Sequence, residues 1–375
     1  MAKDTGAVPS ALGWPAPLGC GTKCPFPLDA FIVTPGFEPA LQAELGSGWT
    51  VQPSPTPGLV LAEAHAAPTA SAPPDPVFAR QVLPDAREIR APSVQRLAEA
   101  AYAAIATAID GHSGPFTLHA FPARFDPGLG SRVELVGRQL LGLLQERRRR
   151  AFRGYRPPED FDAGFPRGAL LLQLLALDPD RFLVSAAAPR ALPHGGTDLA
   201  PWPAGAAPVA VDRAPPSRAY QKLEEAWRWL GSAPRSGQTC VDLGGSPGGW
   251  AYSALKRGAR VTAIDRAPLQ APAACHRGLT AIIGNAFTYE PPRPVDWLLC
   301  DVVCEPARSL ALIARWLEKG WCHRLVSTVK FKGRDGYPIL GEVTPLFVAA
   351  GWRFARVKQL VHNKNEVTVL ASRRA

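Results

Sequence analysis

The second half of the chain alternates short apolar runs with longer amphipathic segments. Short apolar runs flanked by Gly, Pro or polar residues are typical of buried strands, whereas apolar residues three and four positions apart indicate helices. Strands and helices in alternation favour a doubly wound α/β sheet that is mostly parallel. The last strand is expected to be antiparallel, because too few residues precede it for a parallel crossover. The predicted strands are Thr239–Leu243, Arg260–Ile264, Thr280–Ile283, Asp296–Cys300, Leu325–Val329, Arg353–Val361 and Glu366–Ala371, and the predicted helices are Tyr220–Leu230, Gly248–Lys256, Pro306–Leu317 and Pro338–Ala350.

The first half of the chain mixes the same two patterns without regular alternation. This mixture predicts a compact α+β domain over residues 28–190. Residues 1–27 are rich in Pro, Gly and Ala and show no periodicity, so we expect a disordered tail there. A Pro-rich linker is predicted over residues 191–215, ahead of a second domain at 216–375. The predicted strands of the first domain are 31–33, 58–61, 116–120, 169–175 and 181–186, and its helices are 40–45, 93–109 and 131–149.

The charge balance of the chain bears on its partners. The 375 residues include 42 Lys and Arg against 32 Asp and Glu, a formal net charge of +10. This excess favours a polyanionic partner such as nucleic acid. The alternative is a compositional bias toward Arg and Pro that has no bearing on binding. No apolar run reaches the roughly 18 residues of a membrane helix, and no secretory signal pattern opens the chain. We therefore expect a cytoplasmic protein without a membrane partner.

Seven cysteines are spread through the chain without paired Cys-x-x-Cys motifs. Cys240 and Cys300 lie in apolar, strand-like runs, where Cys acts as a small hydrophobic residue. The odd number favours a reducing compartment without structural disulfides. Cys20 and Cys24 could begin a metal site, but no second pair of ligands follows them, so we expect no bound metal.

A glycine-rich loop follows the first strand of the second domain. From Val241 to Trp250 the chain reads Val-Asp-Leu-Gly-Gly-Ser-Pro-Gly-Gly-Trp. This spacing differs from the Gly-x-Gly-x-x-Gly of a dinucleotide site. It resembles the S-adenosylmethionine loop of the RNA ribose methyltransferases related to FtsJ. The resemblance implies S-adenosylmethionine as the cofactor and a Rossmann-like, seven-stranded methyltransferase domain. The cofactor-binding residues that it implies in the loop are Asp242, Gly244, Ser246, Pro247, Gly248 and Gly249.

Polar residues end the predicted parallel strands, and in a doubly wound sheet these ends face one crevice. Asp265 could accept both ribose hydroxyls of an adenosine, or it could cap a turn before Pro268. Asn285 could contact the adenine edge, and Phe287 could be part of the core. Trp250 is expected to pack its helix onto the sheet. The strand-end residues are Asp242, Asp265, Asn285, Asp301 and Lys330, and we expect Asp301 to contact the cofactor as well.

Four charged residues of the second domain stand in the order Lys-Asp-Lys-Glu. Taken alone, Lys222 is typical of a solvated lysine and Glu366 of an ordinary charge at a sheet edge. Lys330 at the end of a buried strand is unusual, because Lys is almost never buried without a partner. Together with Asp301 they match the catalytic tetrad of RNA ribose 2′-O-methyltransferases. The segments around them, at 216–226, 300–307, 316–322 and 359–369, resemble the RlmM family of large-subunit rRNA methyltransferases.

The resemblance is close over residues 215–371 and weaker before them. In the first domain the main similar segments are Pro35–Glu38 and Phe78–Gln81. The family carries an N-terminal RNA-binding region with a THUMP domain, which the resemblance implies for residues 28–190 as a ferredoxin-like, THUMP-like fold. Three places depart from the family. Ala219 replaces a serine thought to contact the cofactor, Ser246 replaces a cysteine, and the stretch 331–336 differs.

The resemblance implies methyl transfer from S-adenosylmethionine to the ribose 2′-hydroxyl of a cytidine in large-subunit (23S) rRNA. The family suggests a monomer that acts before the subunit is assembled. We expect Lys330 to accept the hydroxyl proton as general base, with Asp301 and Glu366 orienting it and Lys222. A methyltransferase of tRNA, mRNA or a small molecule is an alternative. A non-catalytic RNA-binding protein with a degenerate domain is another, against which the intact tetrad argues.

A run of arginines ends the predicted helix 131–149. Arg147, Arg148, Arg149 and Arg150 are followed by Arg153 and Arg156. Such a run could contact RNA phosphates. It could also be a solvated helix end, where positive charge interacts favourably with the helix dipole. Given the substrate that the second domain implies, we expect RNA contact.

Overall fold

The computed structural model describes residues 28–65, 75–124, 126–192, 195–333 and 336–373. The predicted tail, with Cys20 and Cys24, lies outside these described residues, as do Arg334 and Asp335 of the stretch 331–336. The boundaries of the predicted domains stay predictions. What the structure does give is the set of sheets into which each part of the chain folds.

The chain begins with a four-stranded antiparallel sheet. Its strands are β1 (Leu28–Val33), β2 (Trp49–Gln52), β3 (Leu59–Ala64) and β4 (Ala79–Leu83), in the order β2-β3-β1-β4, and helix α1 (Glu38–Leu45) follows β1. Side chains alternate along β1, so Phe31 and Val33 face the opposite way from Ala30 and Ile32. All four are buried, so this first sheet is covered on both faces.

A second sheet packs against the first. It has the order β5-β8-β7-β6, and only β6 and β7 run parallel. Two helices cover one face, each with an N-cap side chain that accepts a backbone N–H: Ser93 before α2 and Asp126 before α3. The other face meets Ala30 and Ile32 through Leu175 and other apolar residues. The elements are β5 (Arg87–Arg90), α2 (Val94–Asp110), β6 (Phe116–Pro122), α3 (Pro127–Arg147), α4 (Arg149–Phe152), β7 (Leu170–Asp178) and β8 (Arg181–Ala187).

The Pro-rich stretch after β8 is packed against the rest of the protein over its described residues. Leu199 and Trp202 are buried. The Trp202 indole N–H donates to Asp162, 2.7 Å away, and the Gln81 side chain of β4 bonds both the N–H and the C=O of Ala200. This stretch is therefore held by specific polar contacts.

The carboxy-terminal sheet has seven strands in the order β11-β10-β9-β12-β13-β15-β14. All neighbours are parallel except β15, which is antiparallel to both β13 and β14. The predicted α/β fold, with seven strands and an antiparallel last strand, is confirmed. The strands are β9 (Thr239–Leu243), β10 (Arg260–Asp265), β11 (Leu279–Ile283), β12 (Val295–Cys300), β13 (Cys322–Lys330), β14 (Phe354–Lys358) and β15 (Glu366–Ser372), and the helices are α5 (Tyr220–Leu230), α6 (Gly249–Lys256), α7 (Pro306–Glu318) and α8 (Val343–Ala349).

Helices cover both faces of this sheet. On one face α5 and α6 pack with Trp227, Trp250 and Trp297, and on the other α7 and α8 pack with Trp316 and Phe347. The apolar cluster on the α7 and α8 face continues into the amino-terminal part of the protein, where it includes Phe31, Leu41 and Phe78. The amino-terminal sheet and the carboxy-terminal domain thus share one core. Over the residues that the structure covers, no helix is both long and apolar enough to cross a membrane.

Candidate active site

The structure brings the four predicted tetrad residues together at the carboxyl ends of the central strands. Lys222 lies on α5, Asp301 directly follows β12, and Lys330 ends β13. Glu366 begins β15, and it is paired with Lys330 in the antiparallel register of these two strands. Sheet order explains the meeting, because β12, β13 and β15 are neighbours and α5 packs against β15.

Asp301 is the centre of the cluster. Lys222 Nζ donates to both Asp301 carboxylate oxygens at 3.1 Å and to Glu366 Oε1 at 3.0 Å. Lys330 Nζ lies 2.9 Å from Asp301 Oδ1 and donates to the Asp301 backbone oxygen at 2.7 Å. The Thr328 hydroxyl donates to Asp301 Oδ1 at 2.6 Å. The lysines and carboxylates therefore form one connected network.

Burial and charge act in opposite directions in this cluster, and charge wins. Burial disfavours the ionised forms, yet the two lysines hold the pKa of Asp301 below its usual range. Asp301 and Glu366 likewise raise the pKa of the Lys222 ammonium despite its burial. Lys222 therefore stays positively charged and holds the Asp301 and Glu366 carboxylates together. The Lys330 side chain is the more exposed amine, at 20% against 11% for Lys222, so it borders the crevice.

Asp242 is the last residue but one of β9 and lies beneath the glycine-rich loop. Its carboxyl group is completely buried, and neither oxygen has a hydrogen-bond partner among the described residues. Burial raises its pKa to about 8, and the negative charges of Asp301 and Asp265 add to the effect. A methyl group added at Gly245 would lie 3.2 Å from Asp242 Oδ2, so the carboxyl packs against the loop backbone.

The loop needs glycine for two reasons, which are a positive φ at some positions and a close contact at another. Gly244 and Gly248 have φ of 78° and 118°, which a residue with a side chain rarely adopts. Gly249 opens α6, and a Cβ there would lie 2.5 Å from Ser217 Oγ. Ser217 stands two residues before Ala219, and its buried hydroxyl has no partner among the described residues. The sequence analysis did not single out Ser217. Only the structure shows that Ser217 lies against Gly249 at the start of α6.

Asp265, at the end of β10, supports the loop from the other side. Its Oδ2 accepts the Ser246 N–H at 3.0 Å, and its Oδ1 accepts the Ala267 N–H at 3.0 Å. The contact with Ala267 closes a turn before Pro268, as the alternative interpretation of Asp265 as a turn cap predicts. The Ser246 hydroxyl donates to the Pro268 backbone oxygen, and the Gln270 N–H donates to the Pro247 backbone oxygen at 2.9 Å. A ribose-binding role for Asp265 stays a prediction.

Asn285 follows β11, the neighbour of β10. Its Oδ1 accepts the Phe287 N–H at 3.1 Å and closes a turn. Phe287 lies under the Arg308 guanidinium, 4.3 Å from the ring centre, and packs against the core. Trp250 is buried and donates to the Ala219 backbone oxygen at 2.9 Å, so the prediction that it packs its helix onto the sheet is confirmed.

The arginine run is only partly free to bind a partner. Arg147 makes two hydrogen bonds to Glu99, at 2.8 and 2.9 Å, and Arg148 pairs with Asp110. Both guanidinium groups also lie over the Tyr102 ring. Arg149 and Arg150 are exposed, on the short helix that follows. Within the described ranges, no group of three or more His, Cys, Asp or Glu side chains could hold a metal ion.

Comparison with known proteins agrees with this site. Residues 215–321 match the family of FtsJ-like methyltransferases. The ribosomal RNA large subunit methyltransferase M of Alkalilimnicola ehrlichii is 40% identical over 185 residues, which are 47% of this chain and 51% of that protein. The protein of the same name from Pseudomonas syringae pv. syringae is 40% identical over 181 residues, 44% of this chain and 50% of that protein. The predicted resemblance is confirmed over this region.

The chain spans about half the length of the curated relatives it matches. Among solved structures, TrmN from Thermus thermophilus aligns with a TM-score of 0.33 at 17% identity, over 92% of this chain and 99% of that chain. The matched residues 215–321 contain the glycine-rich loop, Lys222 and Asp301.

Proposed function

We propose that this protein transfers a methyl group from S-adenosylmethionine to the ribose 2′-hydroxyl of a cytidine in large-subunit rRNA. The observation that carries the proposal is the buried Lys222–Asp301–Lys330–Glu366 network beside the glycine-rich loop. Under this proposal the second domain carries out catalysis and the first, THUMP-like domain binds RNA. The enzyme would act in the cytoplasm as a monomer, on rRNA that is not yet assembled.

The residues around the loop fit the proposed cofactor. The Asp242 carboxyl is buried and without a partner under the loop, and its raised pKa favours a neutral acid that can donate a hydrogen bond. Positive φ at Gly244 and Gly248 shapes the tight turn of the loop, in which a Cβ would lie 3.1 Å from Val302 or 3.0 Å from Ala273. Asp265 and Asn285, at the next strand ends, would hold the nucleoside part.

When bound, S-adenosylmethionine supplies a methyl group on a positively charged sulfur, which leaves as a neutral thioether. The protein aligns the 2′-oxygen behind that methyl group and accepts its proton at Lys330 Nζ. Asp301 holds the Lys330 amine toward the crevice, while the charged Lys222 fixes Asp301 and Glu366.

The first test replaces Lys330 with methionine, which keeps the length of the side chain and removes the amine. We expect methyl transfer to fall by about 10²-fold or more, because a positioned general base contributes on that scale. Binding of S-adenosylmethionine, followed by calorimetry, should stay within twofold. Lys319→Met is the matched control, because Lys319 lies at the far end of α7 from the crevice.

The substrate is tested separately, by ribose-methylation mapping of cellular RNA with and without the gene. A single cytidine of 23S rRNA that loses its methyl group supports the proposal, and naked rRNA should be a better substrate in vitro than assembled subunits. Loss of a methyl group from tRNA or mRNA instead would establish the alternative substrate. If the wild-type protein binds RNA but methylates none, the alternative of a non-catalytic RNA-binding protein is correct.

A further inference from the structure

Four aromatic rings join the amino-terminal sheet to the loop that follows Lys330. Phe37 precedes α1 and Phe78 precedes β4, while Phe331 and Tyr337 flank that loop. The Tyr337 ring centre lies 4.9 Å from those of Phe78 and Phe331 and 6.2 Å from that of Phe37. Phe37 and Phe78 stack at 5.9 Å. We call these four residues the aromatic cluster.

Hydrogen bonds connect the aromatic cluster to the ends of β13 and β15. The Tyr337 hydroxyl donates to Asn365 Oδ1 at 2.8 Å. The Asn365 amide donates to the backbone oxygens of Phe331, at 2.9 Å, and Gly333, at 3.2 Å. The Phe331 N–H donates back to the Asn365 backbone oxygen at 2.9 Å. Asn365 therefore links the two strands one residue beyond the Lys330–Glu366 pair.

The amino-terminal side of this contact is itself held firmly. The Gln359 N–H donates to the Val77 backbone oxygen at 2.9 Å, and Lys358 Nζ donates to the Ala79 backbone oxygen at 3.1 Å. These bonds tie the residues on either side of Phe78 to the end of β14, next to β15. Phe78 is 3% exposed and belongs to the core shared by both parts of the molecule. The ring therefore rests on a fixed support.

We propose that Tyr337 and Phe78 are positioning residues for the chemical step, which makes the amino-terminal sheet part of the catalytic scaffold. This inference rests on the proposed function. Tyr337 acts through Asn365 on the backbone that flanks Lys330 and Glu366, and Phe78 holds the Tyr337 ring in place. The base must lie within hydrogen-bond reach of the 2′-hydroxyl, so a small displacement of Lys330 lowers the rate without loosening either ligand.

The test uses the full chain and the Tyr337→Phe variant, which removes only the hydroxyl. We expect the single-turnover rate of methyl transfer at saturating RNA and cofactor to fall about tenfold. The dissociation constants of both ligands should stay within twofold of the wild type. Phe78→Leu, a change on the other side of the interface, should shift the rate in the same direction. Thermal unfolding checks that each variant is folded.

Tyr289→Phe is the matched control, since the Tyr289 hydroxyl takes part in none of the hydrogen bonds found among the described residues. Its rate should equal that of the wild type. An unchanged saturating rate in folded Tyr337→Phe and Phe78→Leu overturns the inference and leaves the proposed function standing. Weaker RNA binding at an unchanged saturating rate also overturns it, because the residues would then contact RNA. A wild-type protein that methylates no RNA removes both proposals.

Discussion

Two carboxyl groups at neighbouring strand ends have pKa values displaced in opposite directions. Asp242 is the last residue but one of β9, and Asp301 follows β12, which pairs with β9. Burial raises the pKa of Asp242 to about 8, whereas Lys222 and Lys330 hold the pKa of Asp301 below its usual range. The difference lies in the partners, because Asp301 has two lysines beside it, whereas Asp242 is buried without a cation and near the negative charges of Asp301 and Asp265. The site thus favours the neutral form of Asp242 and the ionised form of Asp301.

The raised pKa of Asp242 has a consequence for stability. The folded protein keeps a proton up to about pH 8 that the unfolded chain loses near 3.8, so the unfolding free energy falls as the pH rises between those values. Asp242→Asn removes this dependence. We therefore expect the variant to gain stability relative to the wild type as the pH rises through this window. Urea unfolding of both proteins, without ligand, measures the difference. A difference that is constant over this range would mean that Asp242 is ionised in the folded protein.

At the residue scale, the tetrad could be predicted from the order of its four charges, but not from the local sequence around each residue. Lys222 is buried, although by itself it is typical of a solvated lysine. Its partners Asp301 and Glu366 lie 79 and 144 positions away along the chain. No local pattern contains that information, so only the similarity to a known order of charges could supply it. Thr328 and Tyr337 were missed for the same reason, since each acts through a distant partner.

At the element scale, α5 holds the segment before β15 as well as the tetrad. Glu225 lies one turn after Lys222 and is completely buried. Its carboxylate accepts the N–H groups of Val361 and His362 at 2.9 and 3.0 Å, and the His362 ring nitrogen lies 2.7 Å away. One helix therefore fixes the connection between β14 and β15 and also contacts Glu366.

Replacing Glu225 with alanine should destabilise the protein strongly. Two backbone N–H groups would lose their acceptor, and we expect the unfolding free energy to fall by at least about 2 kcal/mol. The neighbouring Glu224→Ala is the control. Glu224 forms a partly exposed ion pair with Arg257, so its loss should cost about 1 kcal/mol or less. Chemical denaturation measures both, and equal effects would contradict this account of α5.

The elements that periodicity predicted well are the long or strongly apolar ones. The bounds of α5 and β9 match the prediction, whereas the predicted strand Arg353–Val361 ends at Lys358 in the structure. It ends early because the Gln359 N–H bonds the first sheet instead of β15. The predicted helix 338–350 is instead a 3₁₀ helix over Tyr337–Glu342 followed by α8. Strand β4 was missed because the polar residue Gln81 interrupts its apolar pattern. Gln81 is buried in the structure because it bonds the distant Ala200 backbone.

At the scale of the whole molecule, buried charges join the two parts of the chain. Arg356 and Lys358 of β14 are 4% and 3% exposed, and both lie within 2.7 Å of Asp75 Oδ1. Burial lowers the pKa of the Lys358 ammonium, which the Asp75 carboxylate opposes. Such a cluster is costly unless its members stay together. Asp75, four residues before β4, therefore balances the two positive charges that β14 buries.

The arginine run carries the last prediction, on RNA binding. Each phosphate contact made by a cation contributes roughly 0.7–0.9 to the slope of log affinity against log salt. Arg149 and Arg150 are exposed, so their double replacement by alanine should flatten this slope by about 1 to 2 for rRNA binding. Arg147 and Arg148 are already paired with Glu99 and Asp110, so the same replacement there should flatten it less. Filter binding at several salt concentrations compares the two variants. Equal slopes would show that the ion pairs do not decide which arginines meet the RNA.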